Sequence, residues 1–401
     1  MSAHVSLPHA SPGKRKLSAK AWPVIVSLWV LGVTGCLQDA QQEARQRYQN
    51  AWNEAVLPEP IADPAAELEI LIWRDYFPAE LFTAFAEIYG VEVKPTFFDN
   101  NEQMREMYYA EPTRWDLLMP SDYMVSILRR EGQLDRLQQD RLSHMSDLAP
   151  RLFALDCDPG LHFFAPYFYS ALGISFDVQY IGGFPRSWQF LTSQVNNPFV
   201  PGRIAFGNQP RFVLGFALMS LGFDPNSADP DEIAQARDYL ITLVEQYGAQ
   251  VVGDELLEER NWEPHVLIVQ WSGTAAFLLS LDLDYRFLIP EGPSIVAIDG
   301  FVIPRGSTHK ATAHLLLDFL MTPEVFARAA DYSFYAPSSR VAERRISNFV
   351  LHGPSLLLPE QGNLTTLLDV GPAEQYYLDA WEEVLAAEPR EGLQVIPLPV
   401  Y

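Results

Sequence analysis

Aromatic and acidic side chains follow several of the short apolar runs in this sequence. They are Trp73, Asp75, Tyr76, Asp122, Tyr123 and Trp271, and another acid, Asp299, lies inside the apolar segment 295–303. An aromatic face attracts a cation through the ring quadrupole, by about 0.5 to 2 kcal/mol depending on desolvation. A carboxylate accepts charge-assisted hydrogen bonds from an ammonium group. Aromatic walls lower the local dielectric constant, and this strengthens those hydrogen bonds. These residue types predict a cleft for an elongated organic cation.

The elements that must position these residues are short apolar strands that alternate with helices. Residues 68–73 form a buried-strand run, and the helix opened by Pro78 is expected to stop at Gly90. A strand over 91–97, a helix capped near Asn100 or Asn101, a strand over 116–119 and a helix that starts at Ser121 follow. This order predicts an α/β lobe with a mostly parallel sheet, whose ligand sites lie outside the carboxyl ends of its strands.

A second α/β stretch follows, after a segment at 172–176 that is predicted to cross between two lobes. Its clearest helix is 231–247, which carries one apolar face. The strands predicted for it are 203–206, 265–270 and 285–289. Residues 295–303 are predicted to cross back, before helices at 311–321 and 323–330 and a C-terminal helix at 374–385.

Size and charge limit the classes of function. The 401 residues suit two lobes rather than one core, and 48% hydrophobic content indicates that most of the chain folds. The 51 acidic and 28 basic residues give a formal charge of −23, the wrong sign for neutralising nucleic-acid phosphates. Nucleic acid is therefore not expected as a partner.

Common catalytic signatures are absent from the sequence. It contains no GxGxxG, GxxxxGK[ST], GxSxG or HExxH motif, its histidines are scattered singly, and its two cysteines give no metal-ligand spacing. We therefore predict no metal, no cofactor and no enzyme. An envelope hydrolase that uses Asp75 or Asp299 as a general base remains a remote alternative.

The N-terminus has the features of an export signal. Four basic residues between positions 14 and 20 precede the apolar run 21–33, which is too short to span a bilayer comfortably. Val33-Thr34-Gly35-Cys36 resembles a bacterial lipobox, so residues 1–35 are predicted as a lipoprotein signal peptide, Cys36 as the lipidated residue and 36–66 as a tether. Anchoring in the periplasm or cell envelope follows. A signal anchor with an incidental cysteine is the alternative.

The order of several motifs resembles the periplasmic spermidine/putrescine-binding proteins of polyamine ABC importers. The matching stretches are 72–78, 99–104, 115–124, 270–275, 298–304 and 369–371, within a resemblance that covers residues 68–384. It implies a two-lobed type II solute-binding fold, with lobe 1 at 67–171 and 299–343 and lobe 2 at 172–298 and 344–401. It also implies a monomer that delivers a polyamine, such as spermidine or putrescine, to an ABC permease.

The resemblance also carries over a set of site residues. They are Trp73, Asp75, Tyr76, Asp122, Tyr123, Trp271, Asp299 and Tyr335, with Phe334 as a rival to Tyr335. Asp75 and Asp122 each have a second interpretation, as residues that cap the helices beginning beside them.

The chain departs from the family pattern at several positions. Gln209 and Phe212 stand where the family has acids that hold an amine, and Ala297 and Leu367 replace a tryptophan and a glutamine. Arg74 replaces a small or neutral residue. These changes leave open the alternative that the same receptor binds an amino acid or a carboxylate.

Overall fold

Strands and helices alternate along the chain in the order that the sequence pattern predicts. The computed structural model describes residues 55–398 except 185, 195, 254–263, 282–283 and 357–363. The predicted signal peptide, Cys36 and most of the tether lie outside the described residues. Within the described ranges, no helix combines the length and apolarity needed to cross a membrane.

The bounds of the elements are as follows. The strands are β1 (Glu67–Trp73), β2 (Glu92–Phe98), β3 (Leu117–Leu118), β4 (Ala165–Asp177), β5 (Ile204–Gly207), β6 (Gln250–Val252), β7 (Leu267–Trp271), β8 (Tyr285–Leu288), β9 (Ser294–Phe301), β10 (Ala336–Pro337) and β11 (Leu364–Thr365). The helices are α1 (Ala79–Tyr89), α2 (Asn101–Ala110), α3 (Asp122–Arg130), α4 (Phe190–Ser193), α5 (Pro210–Leu221), α6 (Pro230–Tyr247), α7 (Ser272–Leu281), α8 (Lys310–Met321), α9 (Pro323–Ser333), α10 (Arg340–Glu343), α11 (Asn348–His352) and α12 (Glu374–Ala386).

A three-stranded parallel sheet in the order β2-β1-β3 forms the first α/β region. Local signals set its helix ends as predicted. Gly90 adopts φ 71° at the end of α1, a left-handed conformation that glycine takes at little cost. Asn100 caps α2 by accepting a hydrogen bond from the backbone N–H of Gln103 at 2.8 Å. The carboxyl ends of β1 and β3 are thereby held at one edge of the sheet.

The second sheet has the order β11-β9-β4-β7-β5-β6, with β8 and β10 also paired to β4. Its central strand, β4, is buried at every position from Ala165 to Asp177. The first half of β4 pairs antiparallel with β9, and its second half pairs antiparallel with β7 and β8. Strands β5, β6 and β7 run parallel to one another and form the second α/β region.

Strand β9 joins the two sheets. Antiparallel bridges connect the end of β9 and the residue after it with β3 and the segment that follows β3, at Ser121↔Asp299 and Leu118↔Val302. At this junction the backbones of β4 and β9 approach each other closely. A Cβ added to Gly300 would lie only 2.3 Å from the carbonyl oxygen of Ala165, so the position has room only for glycine. The bridges place Asp299 beside the start of α3, where the edges of the two sheets meet.

The crossing strand starts earlier than the sequence indicates. The prediction placed it at 172–176, whereas β4 begins at Ala165. Proline is disfavoured inside strands, and the pairing with β9 shifts register between Pro166 and Phe168 to accommodate it. The predicted helix at 231–247 is confirmed, since α6 spans Pro230–Tyr247.

The described end of the predicted tether contacts the folded body. The Tyr89 hydroxyl donates a hydrogen bond to the Pro58 carbonyl oxygen at 2.8 Å, and the backbone N–H of Ala65 donates to Thr312 Oγ1 at 2.9 Å. Residues 55–66 contain no helix or strand. This part of the predicted tether therefore lies on α1 and α8.

Candidate ligand-binding site

A cavity of about 600 Å³ lies where the carboxyl ends of β1 and β7 meet the middle of β9. Its volume is typical of sites for small organic ligands. Among the predicted site residues, the structure brings together Trp73, Asp75, Tyr76, Trp271, Asp299 and Tyr335 in its lining. Asp122 and Tyr123 are not among the lining residues.

Asp299 places a buried carboxylate in the cavity wall, with the residue only 4% exposed. Its Oδ2 accepts a hydrogen bond from the Tyr76 hydroxyl at 2.7 Å, and its Oδ1 accepts one from the Ser121 hydroxyl at 2.6 Å. Burial raises the pKa of Asp299 to about 6, although the two hydrogen bonds act in the opposite direction. The carboxylate is therefore mostly ionised at neutral pH, and it can accept a further hydrogen bond from a ligand.

Aromatic rings surround this carboxylate. The Tyr76 ring centroid lies 4.8 Å from that of Tyr335 and 6.1 Å from that of Trp73. The Tyr335 hydroxyl lies 3.0 Å from Thr274 Oγ1, at the start of α7. Phe334, the rival to Tyr335, instead ends α9 with φ 64°. Rings and carboxylate together provide the two interactions that stabilise a desolvated ammonium group.

A second part of the wall comes from the start of α5 and the end of β7. The indole N–H of Trp271 donates a hydrogen bond to Gln209 Oε1 at 2.8 Å. The Phe212 ring meets the Trp271 ring edge to face, with centroids 4.6 Å apart at 89°. All three residues line the cavity, and we call this surface the α5 wall.

Asp122 and Tyr123 lie behind the cavity wall. The Tyr123 hydroxyl donates to Glu102 Oε1 at 2.8 Å, and the Tyr123 ring lies 5.6 Å from that of Phe212. Asp122 is buried, and its Oδ1 accepts from the backbone N–H of Tyr123 at 3.0 Å. Burial and then the nearby charge of Asp299 raise the pKa of Asp122 well above its usual value. Ser121 is the N-cap residue of α3, so Asp122 is the first residue of the helix rather than its cap.

Charged side chains also occur at more exposed parts of the lining. Arg74 Nη2 lies 3.4 Å from Asp99 Oδ1, with side chains 41% and 39% exposed. Asp75 is exposed and has φ 57°. The N-cap residue of α1 is Pro78, with no side-chain hydrogen bond, so Asp75 does not occupy the cap position.

Sequence analysis did not identify Ser121 or Thr274 as lining residues. Ser121 was recognised only as a helix start, although it also accepts from Asn101 Nδ2 at 3.0 Å and so is held toward Asp299. Its contact with Asp299 joins two segments that are 178 residues apart in the sequence, so no local sequence pattern could predict it. Among the described residues, no group of His, Cys, Asp and Glu is arranged to hold a metal ion.

Comparisons with known proteins agree with this architecture. Residues 80–348 match the family model described as "Bacterial extracellular solute-binding protein". The spermidine/putrescine-binding periplasmic protein of Escherichia coli is 25% identical over 331 residues, which cover 81% of this chain and 93% of that protein.

Solved structures show the same fold. One from Listeria monocytogenes, assigned to a spermidine/putrescine ABC transporter, has a TM-score of 0.75 and 28% identity and covers 80% of this chain and 99% of that chain. A spermidine/putrescine ABC transporter substrate-binding protein from Streptococcus pneumoniae has a TM-score of 0.65 and 25% identity, and covers 80% and 100%. The predicted fold, the two-lobed α/β architecture of type II solute-binding proteins, is confirmed. The chain belongs to the bacterial extracellular solute-binding protein family.

Proposed function

We propose that this protein is an extracytoplasmic receptor that binds a small organic cation, of the polyamine class, and delivers it to an ABC permease. The observation that carries the proposal is the buried carboxylate of Asp299, held by Tyr76 and Ser121 in a cavity lined by aromatic rings. Two relatives support the same ligand class: the spermidine/putrescine-binding periplasmic protein of E. coli and the spermidine/putrescine ABC transporter substrate-binding protein of S. pneumoniae.

In this proposal Asp299 accepts hydrogen bonds from one ammonium group of the ligand. Four aromatic rings enclose that ammonium group, those of Trp73, Tyr76, Trp271 and Tyr335. Asp75, at an exposed part of the lining, is available to a second positive charge. Asp122 and Tyr123 act from behind the wall. Besides burial, the charge of Asp299 helps to raise the pKa of Asp122, and Tyr123 supports Phe212 by ring contact. No catalytic step is proposed for any of these groups.

We also propose the lobe bounds given above, with lobe 1 at 67–171 and 299–343 and lobe 2 at 172–298 and 344–401. The division at 171/172 falls where β4 changes partner from β9 to β7. Such paired strands provide a hinge, and a ligand that contacts both lobes shifts the protein toward its closed form. Tyr335 and Thr274, which lie 3.0 Å apart, belong to different lobes in this division.

Membrane attachment through lipidated Cys36, with the folded part a monomer, completes the proposal. A Cys36→Ser variant should appear in the soluble fraction of cells that retain the wild-type protein on membranes. Membrane retention of the variant would contradict lipidation at this residue.

The test of ligand class is thermal unfolding with putrescine, spermidine, amino acids and small carboxylates. Ligands that bind the native state raise the melting temperature, and we expect this for the amines. An Asp299→Asn variant should lose most of that increase because it removes the buried charge. Stabilisation by carboxylates and not by amines would contradict the proposal.

Asp318→Asn is a matched control for the Asp299 variant. Asp318 is also 4% exposed, and it accepts two hydrogen bonds from Ser143, at 2.7 Å from the backbone N–H and 3.1 Å from the hydroxyl. It lies outside the cavity lining. Its variant should unfold at a lower temperature yet keep the increase caused by amines.

A further inference from the structure

We propose that the α5 wall receives an uncharged part of the ligand, so that this receptor favours an amine whose positive charge is confined to one end. The inference rests on the proposed function, since it concerns the ligand of the same cavity. The preferred ligands are N-acylated diamines and other amines that carry a positive charge at one end only.

The first observation is the uneven distribution of charge around the cavity. Among the described residues, the carboxylates in the lining are those of Asp75, Asp99 and Asp299. They belong to the turn after β1, the end of β2 and the middle of β9. The α5 wall (Gln209, Phe212 and Trp271) contributes amide, phenyl and indole groups.

The second observation is the fixed orientation of the Gln209 amide. An indole N–H can only donate, so its 2.8 Å hydrogen bond requires that Oε1 of Gln209 faces Trp271. The NH₂ group of the amide then points away from the indole, as a donor. A ligand ammonium group also only donates, so it is a poor partner for this NH₂ group, whereas a carbonyl oxygen is a good one.

The third observation is that the α5 wall is apolar and closely packed around this amide. Phe212 is 3% exposed and Trp271 is 9% exposed, and the Phe212 ring also packs edge to face on Tyr123 at 5.6 Å. Val213 and Phe216 extend the apolar lining along α5. Gln209 precedes the first turn of α5, whose helix dipole presents its positive end there and adds to the cost of a nearby cation.

A cavity of this kind discriminates between ligands by their number of charges. An ammonium group at the α5 wall would lose its hydration without gaining a carboxylate from the described part of the lining, which is unfavourable. A neutral amide or alkyl end would bury apolar surface there instead. Selectivity therefore arises partly from a penalty on the wrong ligand, a common source of specificity.

The experiment is isothermal titration of the full protein with putrescine, N-acetylputrescine and spermidine. We expect N-acetylputrescine to bind at least as tightly as either polyamine. Tighter binding of putrescine or spermidine would overturn the inference and leave the proposed function standing. Failure of all three amines to bind would overturn both.

A Gln209→Glu variant tests the wall directly. Glutamate has nearly the same shape, keeps an oxygen acceptor for the Trp271 N–H and adds one negative charge. We expect the affinity for spermidine, relative to N-acetylputrescine, to rise at least tenfold. No rise in that ratio would overturn the inference.

The matched control is Gln235→Glu, which adds the same charge on the exposed face of α6, outside the cavity lining. It should leave the ratio of affinities unchanged. An equal rise in this control would assign the effect to net charge rather than to the α5 wall, and would overturn the inference.

Discussion

Burial determines how the Asp299 carboxyl group responds to pH. Loss of hydration raises its pKa, while the hydroxyls of Tyr76 and Ser121 stabilise the ionised form, and the balance leaves the pKa at about 6. The pKa of Asp122, which is buried nearby, is also raised. The charge available to an ammonium ligand therefore changes just below neutral pH, whereas an exposed aspartate would keep its charge to about pH 4.

We predict that amine affinity falls as the pH drops through 6. At pH 5 about one Asp299 in eleven is ionised for a pKa near 6, while an aliphatic ammonium stays charged, so binding should weaken about tenfold from its value at pH 7.5. Titration calorimetry between pH 5 and 8 measures this change. The Asp299→Asn variant should bind amines weakly, with an affinity that changes little with pH. If the affinity of this variant fell as steeply with pH as that of the wild type, another group would be responsible for the effect.

The stability of the unliganded protein should follow the opposite trend for this group. The folded-state pKa of about 6 lies above the ordinary value of 3.8, so the folded state holds the proton more tightly. This contribution to stability is complete below pH 3.8 and is lost as the pH rises through 6. Asp299 therefore reduces stability at neutral pH in the absence of ligand, and an ammonium ligand offsets that cost.

The residues of the site differ in how far the sequence could identify them. Trp73 and Trp271 end strands, and an acid inside the apolar segment that contains Asp299 is conspicuous without coordinates. Successive residues of a helix point about 100° apart, so closeness to a strand end did not show that Asp122 and Tyr123 face away from the cavity. Their positions depend on how α3 packs against the rest of the protein, which local sequence does not encode.

At the scale of elements, the paired strands β4 and β9 determine where the cavity lies. The sequence predicted both crossings from their apolar runs, but it started the first one seven residues late. Strand β4 is buried on both faces, so it lacks the alternation of polar and apolar residues that marks a half-buried strand. The register of β9 is likewise set by its long-range partners, and that register decides which side chains flank Asp299.

We predict that Gly300→Ala strongly destabilises this pair. The added Cβ would lie 2.3 Å from the Ala165 carbonyl oxygen and 2.8 Å from Pro166 Cα, and backbone atoms cannot move aside as a flexible side chain can. Overpacking of this kind costs about 1–3 kcal/mol or more. Thermal unfolding should show a clearly lower melting temperature, together with weaker amine binding because Asp299 is the preceding residue.

Gly182→Ala provides the control for this substitution. Beyond its two chain neighbours, no heavy atom of the described residues lies within 4 Å of the Cβ position at Gly182, and its φ is not positive. Its melting temperature should stay close to that of the wild type. Equal melting temperatures for the two variants would show that the β4–β9 approach is not as close as described.

At the scale of the whole molecule, ion pairs outside the cavity connect segments that the proposed division assigns to different lobes. Arg105 Nη1 on α2 lies 2.7 Å from Glu374 Oε1 on α12, and its Nη2 lies 2.5 Å from Glu131 Oε1. Arg130 Nε at the end of α3 lies 2.5 Å from Asp369 Oδ2. In the proposed division Arg105 pairs with an acid in each lobe, so these contacts would favour the proposed closed arrangement without any contribution from a ligand.

We predict that Arg105→Gln shifts the unliganded protein toward an open form. A partly exposed ion pair contributes about 0.2 to 1 kcal/mol, so amine affinity should fall by a factor of about 1.4 to 5, since ligand binding must then supply that part of the closure energy. Small-angle X-ray scattering should give a larger radius of gyration for the unliganded variant, and added amine should reduce it.

Arg237→Gln is the control: the Arg237 side chain is also 25% exposed, and it pairs with Asp238 and Glu383 within the proposed lobe 2. That variant should change neither scattering nor affinity, and an effect on closure equal to that of Arg105→Gln would contradict the proposed lobe bounds.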